Sequence, residues 1–288
     1  MKILFRESLA EPNELESAQK YFDVVHNRTN CKNELVIGRY SCLPYYLELE
    51  KDLQNLNCKL INPYSEHSYI ANFDWYYDVK QYTFDTYNDN NFYNAPEGAY
   101  VVKGKTNSKK MLWNKLCFAL NKQDALKIAS ELSQDALIGQ QGIIYRLYEP
   151  LETFEIGLNG LPMTNEFRFF FIGKNLIDYG YYWSIAQNEQ KCDSSFIDFA
   201  KMIAKIISEY CTFFVLDIAK TIKGELRLVE VNDGQMSGLS CISPDRFYKT
   251  LSEYFVPQPD LTAIERSKRQ LRTGQCFYIE DWEIIPSY

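Results

Sequence analysis

The chain has 288 residues, 46% hydrophobic and 15% aromatic, enough for a large core divided over two or three subdomains. With 31 basic and 38 acidic residues its net charge is -7, which argues against nucleic acid as a bulk electrostatic partner and leaves room only for a local basic patch. The 8 cysteines form no CxxC pair and the only histidines are His26 and His67, so a zinc framework, a disulfide scaffold and a Ser-His triad are all disfavoured.

The opening MKILFRESLAEPNELE turns acidic before a signal-like apolar stretch forms, and no apolar run is long enough to cross a bilayer. The expectation is a reduced, soluble, cytoplasmic protein with no membrane partner. Residues 1–5 read as a first strand. Residues 13–24 have helical spacing (Leu15, Ala18, Phe22) with Asn13 as N-cap. A second strand, LVIG, covers Leu35–Gly38, and a helix covers 43–56 with Pro44 in its first turn. A third strand covers 59–61. This βαβαβ alternation predicts a small parallel-sheet α/β domain over residues 1–90, without the GxGxxG of a dinucleotide fold. Arg6, Arg39, Tyr40, Ser41, Asn62 and His67 follow the predicted strands, where open α/β sheets bind ligands; ordinary loop residues are the alternative. Residues 71–97, rich in Asn, Asp and Tyr, read as a connector with a boundary near Asn90.

A strand, AYVV, then runs over 99–102 and ends in Lys103-Gly104. The loop after it, GKTNSKK, can cradle a polyphosphate through backbone amides, hydroxyls and lysine, although it lacks the Walker A spacing; a lysine-rich hairpin tip is the bland reading. Lys122–Leu132 reads as a helix and 136–148, ALIGQQGIIYRLY, as a strand interrupted by Arg146. Glu166–Ile172, EFRFFFI, is another strand, returning over 176–183. Glu166 and Arg168 share one face of it, either as a surface ion pair or as an arginine aimed at phosphate and held by its carboxylate. A helix over 198–210 leads into a hairpin of 212–219 and 225–232 around Lys223-Gly224. Placing Ile222 opposite Glu225 puts Asp217 opposite Glu230, with Asn232 on the same face. Carboxylates gathered in oily strands call for a cation, and oxygen donors without His or Cys suit Mg²⁺; the alternative is an edge hairpin whose acids face water. Residues 243–255 read as a helix. The tail, 257–288, carries a charged helical run, ERSKRQLR, and a strand-like CFYIEDWEII.

The order YVVKGKTNS, YRLY, NEFRFF, FVLDIA, LVEVNDG resembles the ATP-grasp superfamily over about residues 90–255. Lys103 with Arg146 and Arg168 is similar to its divergent clade marked by two arginines and a lysine. That clade includes the eukaryotic assembly chaperone for a translation initiation factor and many bacterial and phage proteins. The resemblance implies an α+β fold with ATP between subdomains 91–150 and 151–256, hinged near 146–151. It implies that Lys103 touches the α/β-phosphates, that the loop with Lys105, Asn107 and Ser108 closes over them, and that backbone near Leu147 and Tyr148 meets adenine. Asp217, Glu230 and Asn232 would hold Mg²⁺, Glu166 would border the nucleotide, and Arg168 and Arg146 would stabilise the transferring γ-phosphoryl. The hinge lacks the usual glutamate-led signature, so the ribose ligand is open between Glu149 and Glu152. The implied activity is a carboxylate–amine ligase working through an acyl phosphate, with a peptide or protein among the candidate substrates. An ATP-binding assembly factor without ligase turnover is the second class, located in the host cytoplasm if the chain is phage-encoded. A protein kinase is disfavoured by the absence of HRD and DFG.

Overall fold

The computed structural model describes residues 1–6 and 11–255, so the tail elements expected after 257 lie outside the described residues. The N-terminal unit is a parallel sheet of order β2-β1-β3-β4, made of β1 (Lys2–Leu4), β2 (Asp23–Val25), β3 (Leu35–Gly38) and β4 (Lys59–Leu60). Helices α1 (Pro12–Tyr21) and α2 (Tyr46–Asn55) make the crossovers. Strand β2 takes Asp23 and Val24 out of the expected first helix, which stops at Tyr21. That helix opens with Pro12 in its first turn, so Asn13 lies inside it and does not cap it. The second helix begins after Pro44 rather than around it.

Helix α3 (Tyr64–Ala71) precedes the stretch expected to be a connector, and that stretch is itself structured: it begins with α4 (Trp75–Val79), whose Trp75, Tyr76 and Val79 are buried. Strand β5 (Thr86–Asn88), before Asn90, already belongs to the middle sheet, of order β5-β8-β6-β7. The other strands of that sheet are β6 (Tyr100–Gly104), β7 (Phe118–Ala119) and β8 (Ile143–Leu147), all antiparallel. A short helix α5 (Trp113–Leu116) precedes β7, and α6 (Lys122–Leu132) packs Ala125, Ile128 and Leu132 onto the sheet, capped by the Asn121 side chain on the Asp124 amide. The predicted strand over 136–148 is split: α7 (Ile138–Gln141) comes first, and Gly142, at φ 83°, turns the chain into β8. At the outer edge of β5, the Thr86 amide donates to Tyr76 Oη at 3.0 Å and the Asn88 amide to Asn91 Oδ1 at 2.7 Å.

A hairpin of β9 (Thr153–Ile156) and β10 (Pro162–Thr164) leads to the C-terminal sheet. Its order is β12-β11-β13-β14, with β11 (Glu166–Ile172), β12 (Asn175–Tyr181), β13 (Phe213–Lys220) and β14 (Leu226–Asp233), all antiparallel. One face carries Phe167, Phe169, Phe171, Phe214, Leu216 and Ile218 against α8 (Ser194–Ile207), whose Phe196, Ala200, Ile203 and Ile207 repeat at helical spacing. The other face changes character along its length. Phe170, Ile172, Phe213 and Val215 pack against the N-terminal unit and α9 (Pro244–Phe255), while Glu166, Arg168, Asp217, Glu230 and Asn232 continue the same face toward the middle sheet. Each fully buried Phe or Ile contributes about 1.5–3 kcal/mol, so the apolar half of this face fixes the sheet on which the polar half is carried.

The hairpin pairs Asp217 with Glu230, as expected, but reaches that register by another route. Thr221, not Ile222, faces Glu225, through Thr221 N–H to Glu225 O at 2.8 Å, with Gly224 at φ 85° in the turn. The one-residue offset is absorbed by a bulge at Val229, between the Asp217–Glu230 and Ile218–Leu228 pairs. The bulge lets Leu228 and Val231 both enter the core while Glu230 and Asn232 stay on the polar face.

A buried polar seam joins the N-terminal unit to the C-terminal sheet. Arg39 bonds Glu14 Oε1 at 2.6 and 2.9 Å and Gly234 O at 2.6 Å. Asn62 exchanges bonds of 2.6 and 2.8 Å with the Phe213 backbone and donates to Asp233 at 2.8 Å. Asp233 also meets His67 Nδ1 at 3.1 Å, and the His67 ring stacks on Tyr46.

Candidate functional site

A cleft lies between the middle and C-terminal sheets. Its lining is mixed: Phe84, Val101, Trp113, Leu147, Tyr148 and Leu161 supply apolar and aromatic surface, and Lys103, Ser108, Lys110, Arg146, Glu166 and Glu230 supply polar groups. Lys103 is on β6, Arg146 on the neighbouring β8, and Val101 faces Arg146 across that pair. On the opposite wall Glu166 opens β11 and Glu230 follows the β14 bulge. Bases thus come from one sheet and acids from the other.

The acids form a chain. Arg168 and Asp217 are direct cross-strand partners in a two-pronged pair, Nε to Oδ1 and Nη2 to Oδ2, both 2.8 Å, and Arg168 Nη1 donates to Gly238 O at 2.8 Å. Asn232 Nδ2 donates to Asp217 Oδ2 at 3.2 Å and to Glu230 Oε2 at 3.1 Å. Lys103 pairs with Glu230 across the cleft. Burial pushes the Glu230 carboxyl up, but the charge and hydrogen bond of Lys103, helped by Asn232, hold it below the usual carboxylate range. Glu166 behaves in the opposite way: burial, then the nearby Asp217 charge, raise it to about 7 against Lys110 and the 2.9 Å bond from Thr164 Oγ1.

Arg146 has a different environment. It is 5% exposed, its Nη1 donates to the bulge carbonyl of Val229, its Nη2 donates to Thr83 Oγ1 at 2.7 Å, and its Nε has no partner among the described residues. All its partners are uncharged. Burial lowers it to about 10, with Glu230 pulling it back up. A buried cation held without a carboxylate is costly unless an anion arrives to meet it.

The structure brings together most, but not all, of the expected residues. Lys103, Ser108, Arg146, Leu147, Tyr148, Glu166 and Glu230 line the cleft. Arg168, Asp217 and Asn232 stand behind its wall, joined to it through Glu230 and through Tyr182, whose ring lies 4.8 Å from the Arg168 guanidinium. The carboxylate that holds Arg168 is Asp217 and not Glu166: residues two apart on one strand are about 7 Å apart, whereas direct cross-strand partners are about 5 Å apart. The i, i+2 pair is therefore neither a surface bridge nor a pair at all. Lys105 lies outside the cleft, in a separate depression with Lys80 and Tyr87, and Asn107 accepts a bond from Gln141 at 2.7 Å. The amides of Leu147 and Tyr148 donate to Asp85 O and Ala99 O, so backbone N–H groups free to read a base begin at Glu149. Glu149 borders the cleft but is paired with Arg227 at 2.9 Å; Glu152 accepts from Asn165 at 2.8 Å. Of the residues after the N-terminal strands, Arg39, Asn62 and His67 are in the buried seam, while Arg6, Tyr40 and Ser41 line a surface hollow elsewhere.

Tyr182 and Trp183 escaped the sequence reading, and Lys110 entered it only as the last residue of the GKTNSKK loop, with no role of its own. The only trace is that GKTNSKK ends in two lysines and that β12 runs into a Tyr-Trp pair. As for metal, the described residues contain no group of three His, Cys, Asp or Glu placed to hold one. The donor set does fit a hard cation once the amide is counted: Asp217, Glu230 and Asn232 converge, and a half-turn of the Asn232 amide presents Oδ1 where Nδ2 now bonds both carboxylates.

An α/β unit followed by two α+β lobes, with bases on one lobe facing acids on the other, is the architecture of proteins that clasp a ligand between sheets. The chain belongs to the ATP-grasp family described as ATP-grasp domain, R2K clade family 3, which matches residues 93–251. Its fold is that of solved ATP-grasp structures. A D-cycloserine synthetase shares 12% identity at a TM-score of 0.55, over 88% of this chain and 99% of that one. N5-carboxyaminoimidazole synthase from Aspergillus clavatus, in complex with ADP and its ribonucleotide, shares 10% identity at 0.58, over 90% and 78%. D-alanine–D-alanine ligase from Bacillus anthracis, complexed with ATP, shares 10% identity at 0.53, over 94% and 99%. No curated protein matches the chain in sequence. Among the described residues no helix is long and apolar enough to cross a membrane.

Proposed function

We propose that this chain is an ATP- and Mg²⁺-dependent ligase that joins a carboxylate to an amine, on a small molecule or a peptide. The observation that carries the reading is the buried Arg146, charged yet bonded only to uncharged acceptors, in a cleft lined by both apolar and basic side chains. The apolar lining suits a nucleobase and the basic side chains a polyphosphate. Mg²⁺, held by Glu230, Asn232 and Asp217, would neutralise phosphate charge. Lys103, released from Glu230, and Arg146 bind phosphoryl oxygens, and Arg168, locked by Asp217, meets negative charge at the far end of the cleft. The reaction is transfer of the γ-phosphoryl to a carboxylate oxygen, with ADP leaving. The amine then attacks the acyl carbon, phosphate departs, and the amine loses a proton. These side chains bind and orient; none has to form a covalent bond.

The test is incubation of the purified protein with labelled ATP, Mg²⁺, cell extract and hydroxylamine. ADP together with a trapped hydroxamate is the expected result. AMP as the main product would overturn the acyl-phosphate chemistry, and tight ATP binding with no turnover would favour an assembly factor.

A further inference from the structure

The loop between β6 and α5 closes over the cleft and touches the C-terminal lobe at two points. Met111 O accepts from Asn159 Nδ2 at 2.7 Å, and Lys110 Nζ donates to Tyr182 Oη. The Lys110 ammonium also lies 4.3 Å from the Tyr182 ring centroid and 5.1 Å from that of Trp183. Among the described residues it is thus bonded to a phenol and two aromatic rings rather than to a carboxylate. The same Tyr182 ring lies over Arg168, so Lys110 and Tyr182 together cover the Arg168–Asp217 end of the cleft. Partial burial pulls Lys110 below its ordinary value, and the charges of Glu166, Glu230 and Asp217 pull it back up, which places the ammonium at the acid end of the site.

Building on the proposed nucleotide reading, we infer that Lys110 binds the terminal phosphoryl group of a nucleoside triphosphate and rests on Tyr182 and Trp183 until that group arrives. Three features lead here. A cation–π contact of this kind is worth about 0.5–2 kcal/mol, less than a charge-assisted bond to phosphate at about 1.5–3 kcal/mol, so an incoming phosphoryl group wins the ammonium. The lysine opens a single 3-10 turn (Lys110–Leu112) rather than standing on a strand, so it can make the exchange without disturbing the sheet. Its contact with Tyr182, whose ring lies over Arg168, sets the ammonium beside the Arg168–Asp217 pair. Lys110 therefore distinguishes a triphosphate from a diphosphate, whereas Lys103 and Arg146, held at Glu230 and at the Val229 carbonyl, do not.

Calorimetric titration of the full chain with a non-hydrolysable imido analogue of ATP and with ADP, both with Mg²⁺, tests this. Lys110→Met should weaken the triphosphate by roughly tenfold or more and leave ADP within about twofold. Lys110→Gln serves as the second variant if the methionine perturbs thermal unfolding, and Lys110→Arg should recover part of the loss. Tyr182→Phe, which keeps the ring over Arg168 but removes the competing acceptor, should leave triphosphate affinity unchanged or tighter, a result that a purely structural latch does not give. Equal losses for both nucleotides, no loss for either, or a weakened Tyr182→Phe would overturn the role of Lys110 alone. A wild-type protein that binds neither nucleotide would overturn the nucleotide reading and this inference with it.

Discussion

Two buried polar clusters in this molecule solve opposite problems. At the seam under the N-terminal unit, charge meets charge and donor meets acceptor: Arg39 with Glu14, Asn62 with the Phe213 backbone, His67 with Asp233. In the cleft, the second cluster is left incomplete. Arg146 bonds only neutral oxygens with its Nε unsatisfied, and Lys110 leans on aromatic rings. The first cluster is closed and serves the fold. On the proposed nucleotide reading the second keeps binding capacity in reserve, which would cost stability in the free protein and return it when an anion enters.

The sharpest way to break this comparison is to remove one arginine from each cluster. Arg39→Ala leaves Gly234 O without its donor and the largely buried Glu14 carboxylate with only the Tyr248 hydroxyl, and should lower unfolding free energy by about 3–5 kcal/mol. Arg146→Met removes two hydrogen bonds but also a buried, uncompensated charge, so unfolding should change by less than about 1 kcal/mol while nucleotide affinity drops roughly ten- to a hundredfold. Urea unfolding and calorimetry on both variants separate the two effects. If Arg146→Met destabilises as much as Arg39→Ala, the cleft is a structural cluster like the seam.

Glu166 supplies a pH test. Its carboxyl sits at about 7 in the folded chain against an ordinary 4.5, so the folded state holds an extra proton between those values. Stability from this group is fully present below about pH 4.5 and lost as pH rises to about 7. Metal-free Glu166→Gln should remove that slope, gaining about 1–3 kcal/mol on wild type between pH 5 and pH 8 in urea titrations. A variant whose slope matches wild type would show that Glu166 is not the titrating group. The smallest effect belongs to Lys105→Ala: with Lys105 outside the cleft, nucleotide affinity should stay within about twofold. A tenfold loss would bring Lys105 back into the site.

Much of this was legible in the sequence. The Asp217–Glu230–Asn232 convergence follows from strand period alone, and it survived a misplaced turn because the Val229 bulge cancels the turn's extra residue. Neither error shows in the sequence, since a bulge and a longer turn leave the same apolar alternation outside them. The face shared by Glu166 and Arg168 was readable, but the Arg168–Asp217 pair was not, because it depends on how β11 registers against a strand 49 residues away. Lys105 was placed with the GKTNSKK loop that follows β6, but sequence does not say which way such a loop turns each side chain, and this one lies in a separate depression with Lys80 and Tyr87. Lys110 needs both the closed loop and Tyr182, from distant parts of the chain, so its surroundings exist only in the tertiary structure.

The edges of the middle sheet carry one more consequence. A strand with free outward amides is a template for another chain, and a half-open clasp would seem to invite one. Here Tyr76 and Asn91 occupy the outward amides of β5, and the opposite edge strand, β7, spans only Phe118 and Ala119. Both borders are closed to strand addition. A parting of the lobes to admit a ligand would therefore leave this sheet without an open strand edge for another chain to pair with.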